Sequence, residues 1–450
     1  MKRFSWLFIL VVLSVSRCNL FKDIRFTAAS LTGQEILYVT AAPAELQPSD
    51  AAAAYLSNGD LLLVFKSSSP EAGADRGGAT VFVTRSTDRG RNWTRPATGF
   101  SVVRDFRHPV MVIIPDGPVL LAFGWQDADD SSRPAGYPGF FVSHSMDNGV
   151  SFSTPRLIRT PLAGRVATSG SAVALEDGSV LLPLTAGGGV RLAVSRDNGE
   201  NWTIGPAIAE NAASTRRNPS LVRLPDGRLL CLFEQGSVSS RLMTSESSDN
   251  GLTWREPVDT GVQGSRPSCA VLSGGVLACA FTDRWPSGIG LMRSFDGGVR
   301  WECMEQLSAS DSECQIAPMN GDTLLAVCGP DQVKPGAALR AAVFAETAPG
   351  PPAGLSGSYK HGKGNHLRWN AKKHAVYYAV YRDTASIADP PPAGLRLATT
   401  VSTGFSDVSV DSGGTYFYRV TAVRSENAPV AGAEGPPSAE LKIAAVEDRK

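Results

Sequence analysis

Ser195-Arg-Asp-Asn-Gly-Glu-Asn-Trp202 is one of five copies of the pattern Ser-x-Asp-x-Gly-x-x-Trp/Phe, which recurs at 86–93, 145–152, 195–202, 247–254 and 294–301. The aspartates, Asp88, Asp147, Asp197, Asp249 and Asp296, stand 59, 50, 52 and 47 residues apart. A motif repeated at that interval marks one supersecondary unit used again and again. Each copy reads as a tight turn. The carboxylate accepts backbone N–H groups, the glycine takes positive φ, and the aromatic residue anchors the turn in the core below.

A second signal runs in step with the first. Asn58-Gly59, Asp116-Gly117, Asp177-Gly178, Asp226-Gly227, Gly274-Gly275 and Asn320-Gly321 each split a pair of short apolar runs. Such dipeptides between β-type segments signal hairpins. Pro219-Ser-Leu-Val-Arg-Leu-Pro-Asp-Gly-Arg-Leu-Leu-Cys-Leu-Phe233 reads as strand, turn and strand. Six hairpins and five boxes give six units, each with strands A to D, a hairpin between A and B and a box between C and D. Four-stranded units at this period predict an all-β fold, a six-bladed β-propeller over 34–347. The sixth unit, 313–346, is one strand short, and 34–40 is the candidate to supply it and close the ring.

The chain has 450 residues, 42% of them hydrophobic, enough for more than one core. Its 43 basic and 43 acidic residues cancel and form no basic run, so nucleic acid is not expected as a partner. Residues 1–16, with Lys2 and Arg3 ahead of a short apolar stretch, read as a secretory signal peptide too short for a stable membrane span. The expected location is therefore secreted, periplasmic or cell-surface. Lipid anchoring at Cys18 is an alternative, although Arg17 stands where a small residue is expected. A monomer is expected. Of the remaining cysteines, Cys269 and Cys279 are symmetric about the Gly274 turn and could face each other across the hairpin; buried free thiols are the other reading. No spacing suggests a metal site, since the propeller holds only His108 and His144, and no cofactor is expected.

A Pro/Gly linker at 348–354 leads to a second all-β segment, 355–445, with alternating Tyr/Val strands and an early tryptophan. These features suit an immunoglobulin-like β-sandwich. Through Trp369, Tyr381, Tyr416 and Tyr418 it resembles a fibronectin type III domain. The resemblance implies that Tyr416 is a core tyrosine-corner residue.

Strand direction locates a functional face. Hairpins and boxes share one end of the propeller; strand A starts, strand B ends and B–C loops share the other, around the central channel. At A-starts stand Ser49-Asp50-Ala51, Arg107-His108-Pro109, Arg217-Asn218-Pro219 and, offset by one, Arg266-Pro267. B-strands run into Glu234 and Asp283-Arg284. The first two B–C loops carry Glu71, Asp75 and Arg76, then Trp125, Asp127, Asp129, Asp130, Arg133 and Tyr137. Arginines facing carboxylates at a concave mouth suit an anionic or heavily hydroxylated ligand, because guanidinium clamps carboxylate in a bidentate fork.

The boxes on a six-unit repeat resemble the Asp-box (BNR) propellers of the sialidase (neuraminidase) superfamily over about residues 34–347. That resemblance implies an arginine triad for the substrate carboxylate, an aspartate acid/base and a Tyr–Glu nucleophile pair. Asp75 matches the acid/base position. Ser49-Asp50-Ala51 stands where the family's Arg-Ile-Pro opens the first blade, and no tyrosine occurs between Tyr137 and Tyr359. The expected function is an exported sialidase-like glycoside hydrolase acting on a glycan or glycoconjugate, with sialic acid or another acidic sugar as substrate. Asp75, Asp127 and Glu234 are the candidate catalytic residues, and Arg107, Arg217, Arg266, Arg284 and Trp125 the candidate substrate contacts. The alternative is a non-catalytic carbohydrate-binding or surface-scaffold propeller.

Overall fold

The computed structural model describes residues 39–42, 48–67, 79–102, 105–126, 139–210, 214–237, 240–272, 275–284, 287–294, 296–308, 313–320, 323–329, 339–345, 351–372, 375, 377–423 and 436–445. At some of these, Trp125, Asp283 and Arg284 among them, only the backbone is described. Strand β1 (Val39–Ala42) is set aside at first, because its partners come last in the repeat. The first sheet is β2 (Pro48–Tyr55), β3 (Leu61–Ser67), β4 (Ala79–Ser86) and β5 (Ala97–Val102). The second is β6 (Asp105–Ile113), β7 (Val119–Gln126), β8 (Gly139–Ser145) and β9 (Arg156–Arg159). In the third, the inner strand is broken into β10 (Val166–Thr168) and β11 (Val173–Ala174), followed by β12 (Val180–Ala186), β13 (Gly189–Ser195) and β14 (Thr203–Ala209). The fourth runs β15 (Arg216–Arg223), β16 (Leu229–Gln235), β17 (Arg241–Ser247) and β18 (Val258–Gln263). The fifth runs β19 (Ser265–Val271), β20 (Leu277–Arg284), β21 (Ser287–Ser294) and β22 (Glu302–Ser308).

The sixth sheet has three strands from its own stretch, β23 (Glu313–Met319), β24 (Thr323–Gly329) and β25 (Leu339–Ala345). Its fourth is β1, antiparallel to β25 with Val39 opposite Ala341. The start of the propeller thus closes its last sheet; the described closing strand, Val39–Ala42, overlaps the expected segment 34–40 at residues 39–40, and 34–38 lie outside the described residues. Inner strands contact one another in a cycle, β2 with β6, β6 with β10, β10 and β12 with β15, β15 with β19, β19 with β23, and β23 back to β2. All pairings are antiparallel, and the arrangement is a β-propeller.

The core lies between sheets rather than at the centre. Leu61, Leu63 and Phe65 pack with Leu325 and Val327, joining the first sheet to the sixth. Val64 and Val81 meet Phe106 and Phe123 across the first and second. Similar clusters fill the four remaining wedges. Second strands therefore have neighbours on both faces, which explains why Leu61-Leu-Leu-Val-Phe65 is an unbroken apolar run and not an alternating one. Each such side chain fully buried contributes about 1.5–3 kcal/mol relative to exposure.

The boxes are the turns their residues suggested. Gly90, Gly149, Gly199, Gly251 and Gly298 have φ of 85°, 79°, 87°, 85° and 94°. Asp197 Oδ1 accepts the Asn201 N–H at 2.8 Å, Ser195 Oγ accepts the Gly199 N–H at 2.8 Å, and the Trp202 indole donates to the Gly199 carbonyl at 2.8 Å. Arg85, at the end of β4, reaches Asp60 of the first hairpin at 2.6 Å, so boxes and hairpins do share one end.

Cys269 and Cys279 are opposite one another across the β19–β20 hairpin, with Sγ atoms 3.0 Å apart, both buried and neither in a disulfide. A disulfide links Cys314 to Cys328 between β23 and β24.

The second segment has two sheets of its own. One is β26 (Ser356–Lys360), β27 (Gly364–Arg368) and β30 (Gly404–Asp407); the other is β29 (Arg396–Thr400), β28 (Tyr377–Asp383), β31 (Thr415–Val423) and β32 (Leu441–Ala444). Leu367 and Phe405 of the first and Tyr378, Tyr418 and Val420 of the second share one apolar cluster with Trp369. Tyr416 is buried, and its hydroxyl accepts the Asp411 N–H at 2.9 Å, five residues upstream. Among the described residues no helix is long and apolar enough to cross a membrane.

Candidate functional site at the channel mouth

The channel on the propeller axis is a cavity of about 380 Å³, lined by one inner strand from each sheet through residues such as Ala53, Ile113, Ala174, Val222, Ala270 and Ala317. Tyr55, Ser171, Arg223 and Gln315 add polar groups to that lining. A denser cluster of charge lies at the strand starts, toward the end opposite the hairpins.

Four inner strands open with the same irregularity. Asp50, His108, Asn218 and Arg266 have φ of 46°, 47°, 52° and 51°, and the ladder register shifts at each. Aspartate, asparagine and histidine are the non-glycine residues that best tolerate this conformation. In three of the four, the next residue is proline (Pro109, Pro219 and Pro267), which has no N–H to leave unpaired at the bulge. The bulge turns a side chain that would lie in the sheet toward the axis. It also explains the one-residue offset of Arg266. Arg266 occupies the place of His108 and Asn218, and its neighbour Ser265 occupies that of Arg107 and Arg217.

Three of these bulges are latched to the sheet before them. His108 N–H donates to Asp50 Oδ1 at 3.0 Å, Asn218 N–H to Thr185 Oγ1 at 3.0 Å, and Arg266 N–H to Glu234 Oε2 at 3.0 Å. Asp50 and Glu234 therefore hold neighbouring sheets in register while lying at the mouth.

Both carboxylates are deeply buried and surrounded by cations. Glu234, 1% exposed, faces Arg217 directly across the β15–β16 ladder and accepts its Nε, while Asn218 Nδ2 donates to Oε2 at 3.0 Å. Asp50, 2% exposed, lies 2.9 Å from Lys66 Nζ and 3.6 Å from Arg107 Nη1, with His108 Nδ1 at 3.9 Å. Burial alone would raise the Asp50 pKa, but Lys66 and then His108 outweigh it and hold it below its ordinary value. His108 is pushed down, first by burial and then by Arg266, Arg107 and Arg165, against the opposing pull of Asp50.

Carboxylate oxygens of Asp50 and Glu313 and a ring nitrogen of His108 all lie within 4.8 Å of one another. Metal ligation needs charge compensation by the ion, and here Lys66 and Arg107 already supply it to Asp50. The donor set suits an anion-facing mouth better than a cation site.

Of the expected site residues, Arg107, Arg217, Arg266 and Glu234 come together here. Trp125, next to last in β7, and Arg284, last in β20, end their strands at the same face, with only their backbones described. Asp75 and Asp127 lie outside the described residues. Five charged or titratable participants had not been singled out as site residues: Asp50, Lys66, His108, Arg165 just ahead of β10, and Glu313 at the start of β23. A signal for the bulge was present in the sequence. Asp50, His108, Asn218 and Arg266 each stand nine residues ahead of a hairpin glycine, Gly59, Gly117, Gly227 and Gly275.

Residues 59–318 match the family model of the BNR repeat-like domain. The chain belongs to that family. No curated protein is significantly similar to it. Among solved structures, a protein of unknown function from Dyadobacter fermentans is similar to this BNR repeat-like chain at 15% identity and a TM-score of 0.60, covering 69% of this chain and 98% of that one. The α-L-arabinanase of Penicillium chrysogenum, complexed with arabinobiose, is similar at 17% identity and a TM-score of 0.53, covering 69% and 99%. The NanB sialidase of Streptococcus pneumoniae is similar at 11% identity and a TM-score of 0.53, covering 69% and 70%. At such identities the likeness is one of fold, and the BNR repeat-like propeller is of the type seen in sialidases and arabinanases.

Proposed function

We propose that this BNR repeat-like protein is exported and acts on glycans, and that its channel mouth takes an acidic sugar. The observation that carries the reading is the set of guanidinium groups on successive inner strands, Arg107, Arg217 and Arg266 with Arg165, around a mouth whose two buried carboxylates are already neutralised. A ligand carboxylate at this mouth gains bidentate, charge-assisted hydrogen bonds from such guanidinium groups. Two structural neighbours bear the names of glycan-cleaving enzymes, a sialidase and an arabinanase, which supports glycosidic-bond cleavage as the activity. Asp75 is the proposed general acid. Glu234 is proposed as a positioning carboxylate rather than a reacting one, because all its described contacts are to Arg217, Asn218 and Arg266. In this reading the segment 355–445 is a fibronectin type III domain that serves as a spacer.

A second reading, a binding propeller without catalysis, draws on one observation. Asp50 and Glu234 are both committed to ion pairs, and no tyrosine between Tyr137 and Tyr359 is available as nucleophile. A panel of sialylated, uronic-acid and neutral glycans, assayed for both retention and release, separates the two. Cleavage of an acidic glycan that falls at least tenfold in Asp75→Asn supports the enzyme. Retention of acidic glycans without cleavage supports the binding propeller, and preference for neutral glycans contradicts both.

A further inference from the structure

His108 is a titratable side chain at the mouth able to accept and release a proton. It sits on the axis side of the β6 bulge, half-buried, with its Nδ1 edge toward Asp50 and Glu313 within reach. Arg107, Arg165 and Arg266 surround it, and Lys66 stands behind Asp50. Its backbone is fixed on both sides, since its N–H donates to Asp50 and its carbonyl accepts from Thr168 Oγ1 at 2.6 Å.

A base ringed by guanidinium groups matches one kind of acidic-sugar chemistry closely. In a uronic acid residue the carboxylate is attached to C5, and C5 carries a hydrogen made acidic when that carboxylate is neutralised by cations. We propose that the mouth cleaves uronic-acid glycans by β-elimination, with His108 as the base that takes the C5 proton. This rests on the acidic-sugar reading above and names its substrate class and reaction.

The balance is simple. The C5–H bond breaks and its proton passes to a nitrogen of the His108 ring. The electron pair is delocalised onto the carboxylate, held by the arginines, and then forms the C4–C5 double bond as the C4–oxygen bond breaks. The departing oxygen takes up one proton, from solvent or from the imidazolium, and becomes the hydroxyl of the released sugar. No water is consumed and nothing is oxidised or reduced.

Each mouth residue has a part in that sequence. Guanidinium groups stabilise the charge that grows on the carboxylate in the transition state, the kind of preorganised electrostatic effect that contributes most to catalysis. Burial first, and then those guanidinium groups, lower the pKa of the imidazole and so favour its proton-accepting form. Asp50 and Glu313 then stabilise the imidazolium once it forms. Neither carboxylate needs to leave its ion pair, which a hydrolytic role for Asp50 or Glu234 would require.

The test uses alginate, polygalacturonate and a glucuronate-containing glycosaminoglycan with the full chain. The expected result is ultraviolet absorbance from a C4–C5 unsaturated uronide, appearing in step with new chain ends. His108→Asn is the variant, because Asn218 occupies the equivalent bulge and tolerates its φ. It should retain binding of the same polymer while unsaturated product falls by about 10²-fold or more, the usual contribution of a general base. The wild-type rate should rise with pH through a pKa below the ordinary histidine value and then level off, and that rise should vanish in the variant's residual activity. New chain ends without the absorbance would overturn elimination and leave the acidic-sugar reading standing. Undiminished unsaturated product in His108→Asn would overturn the role of His108. No binding of any acidic glycan would overturn both readings together.

Discussion

Replacing Glu234 separates a positioning carboxylate from a reacting one. Its side chain is 1% exposed and accepts from the Arg217 guanidinium, the Asn218 amide and the Arg266 backbone N–H, so one residue ties the inner edge of the fourth sheet to the fifth. Alanine removes all three acceptors at once. Breaking a buried pair by deleting one partner costs about 3–5 kcal/mol. The Arg217 side chain is 39% exposed and can be rehydrated, which places the expected loss toward about 3 kcal/mol. Glutamine keeps the volume and one acceptor oxygen but not the charge, for an expected loss of about 1–2 kcal/mol. Urea unfolding followed by tryptophan fluorescence measures both. Because Arg217 and Arg266 lose their common anchor, glutamine should also weaken acidic-sugar binding by about tenfold, equivalent to about 1.4 kcal/mol. An alanine variant within about 0.5 kcal/mol of wild type, the range of an ordinary surface change, would refute the network. Normal stability and binding in Glu234→Gln, with cleavage abolished, would refute the positioning role and make Glu234 a reacting group.

Other outcomes follow from the scaffold. Gly149→Ala should destabilise the propeller by about 2–4 kcal/mol, because a Cβ there would lie 2.2 Å from Leu62 Cδ2 at a φ of +79°. Gly227→Ala, with φ +87° and nothing within 4 Å, should cost only the conformational strain of about 1 kcal/mol, so equal losses at the two positions would contradict the packing of boxes on the neighbouring sheet. Asp88, Asp147 and Asp249 are held at about 2, Asp88 chiefly by the Asn92 backbone N–H and the other two chiefly by the Ser151 and Thr253 hydroxyls. Folded-state values below the ordinary 3.8 mean that their stabilisation is complete above that pH and is lost as pH falls toward about 2. Acid unfolding between those limits should become shallower when all three are changed to asparagine, and an unchanged profile would contradict it.

The propeller was legible because its signals are local. A box needs only eight consecutive residues to make its turn, and Ser195, Asp197, Gly199 and Trp202 each do in the structure what their chemistry suggests. The closing strand was legible by subtraction, a sixth sheet one strand short, and the described strand β1 falls where the expected segment ends. The mouth was legible only in part. Arg107 and Arg217 stood out by repetition and Arg266 by its offset of one, but that the offset puts Arg266 on the bulge itself depends on register, which composition does not show. Glu313 meets Asp50 and His108 only through ring closure, which brings the last sheet beside the first, whereas Arg165 acts on His108 from the adjoining third sheet and Lys66 pairs with Asp50 across the β2–β3 hairpin. Asp50 was noted only as standing in an arginine's place. Its partnership with Lys66 depends on a cross-strand neighbour and on burial, neither of which a local pattern reveals.

The account stands or falls on whether the arginines at the channel mouth hold a sugar carboxylate. Calorimetric titration of the full chain with sialyl and uronyl oligosaccharides, each paired with its carboxyl-reduced neutral counterpart, tests this directly. At least one acidic ligand should bind tenfold or more tightly than its neutral partner, a difference of about 1.4 kcal/mol or more, and the difference should shrink as salt is raised. Equal affinities for acidic and neutral members of every pair would contradict the account.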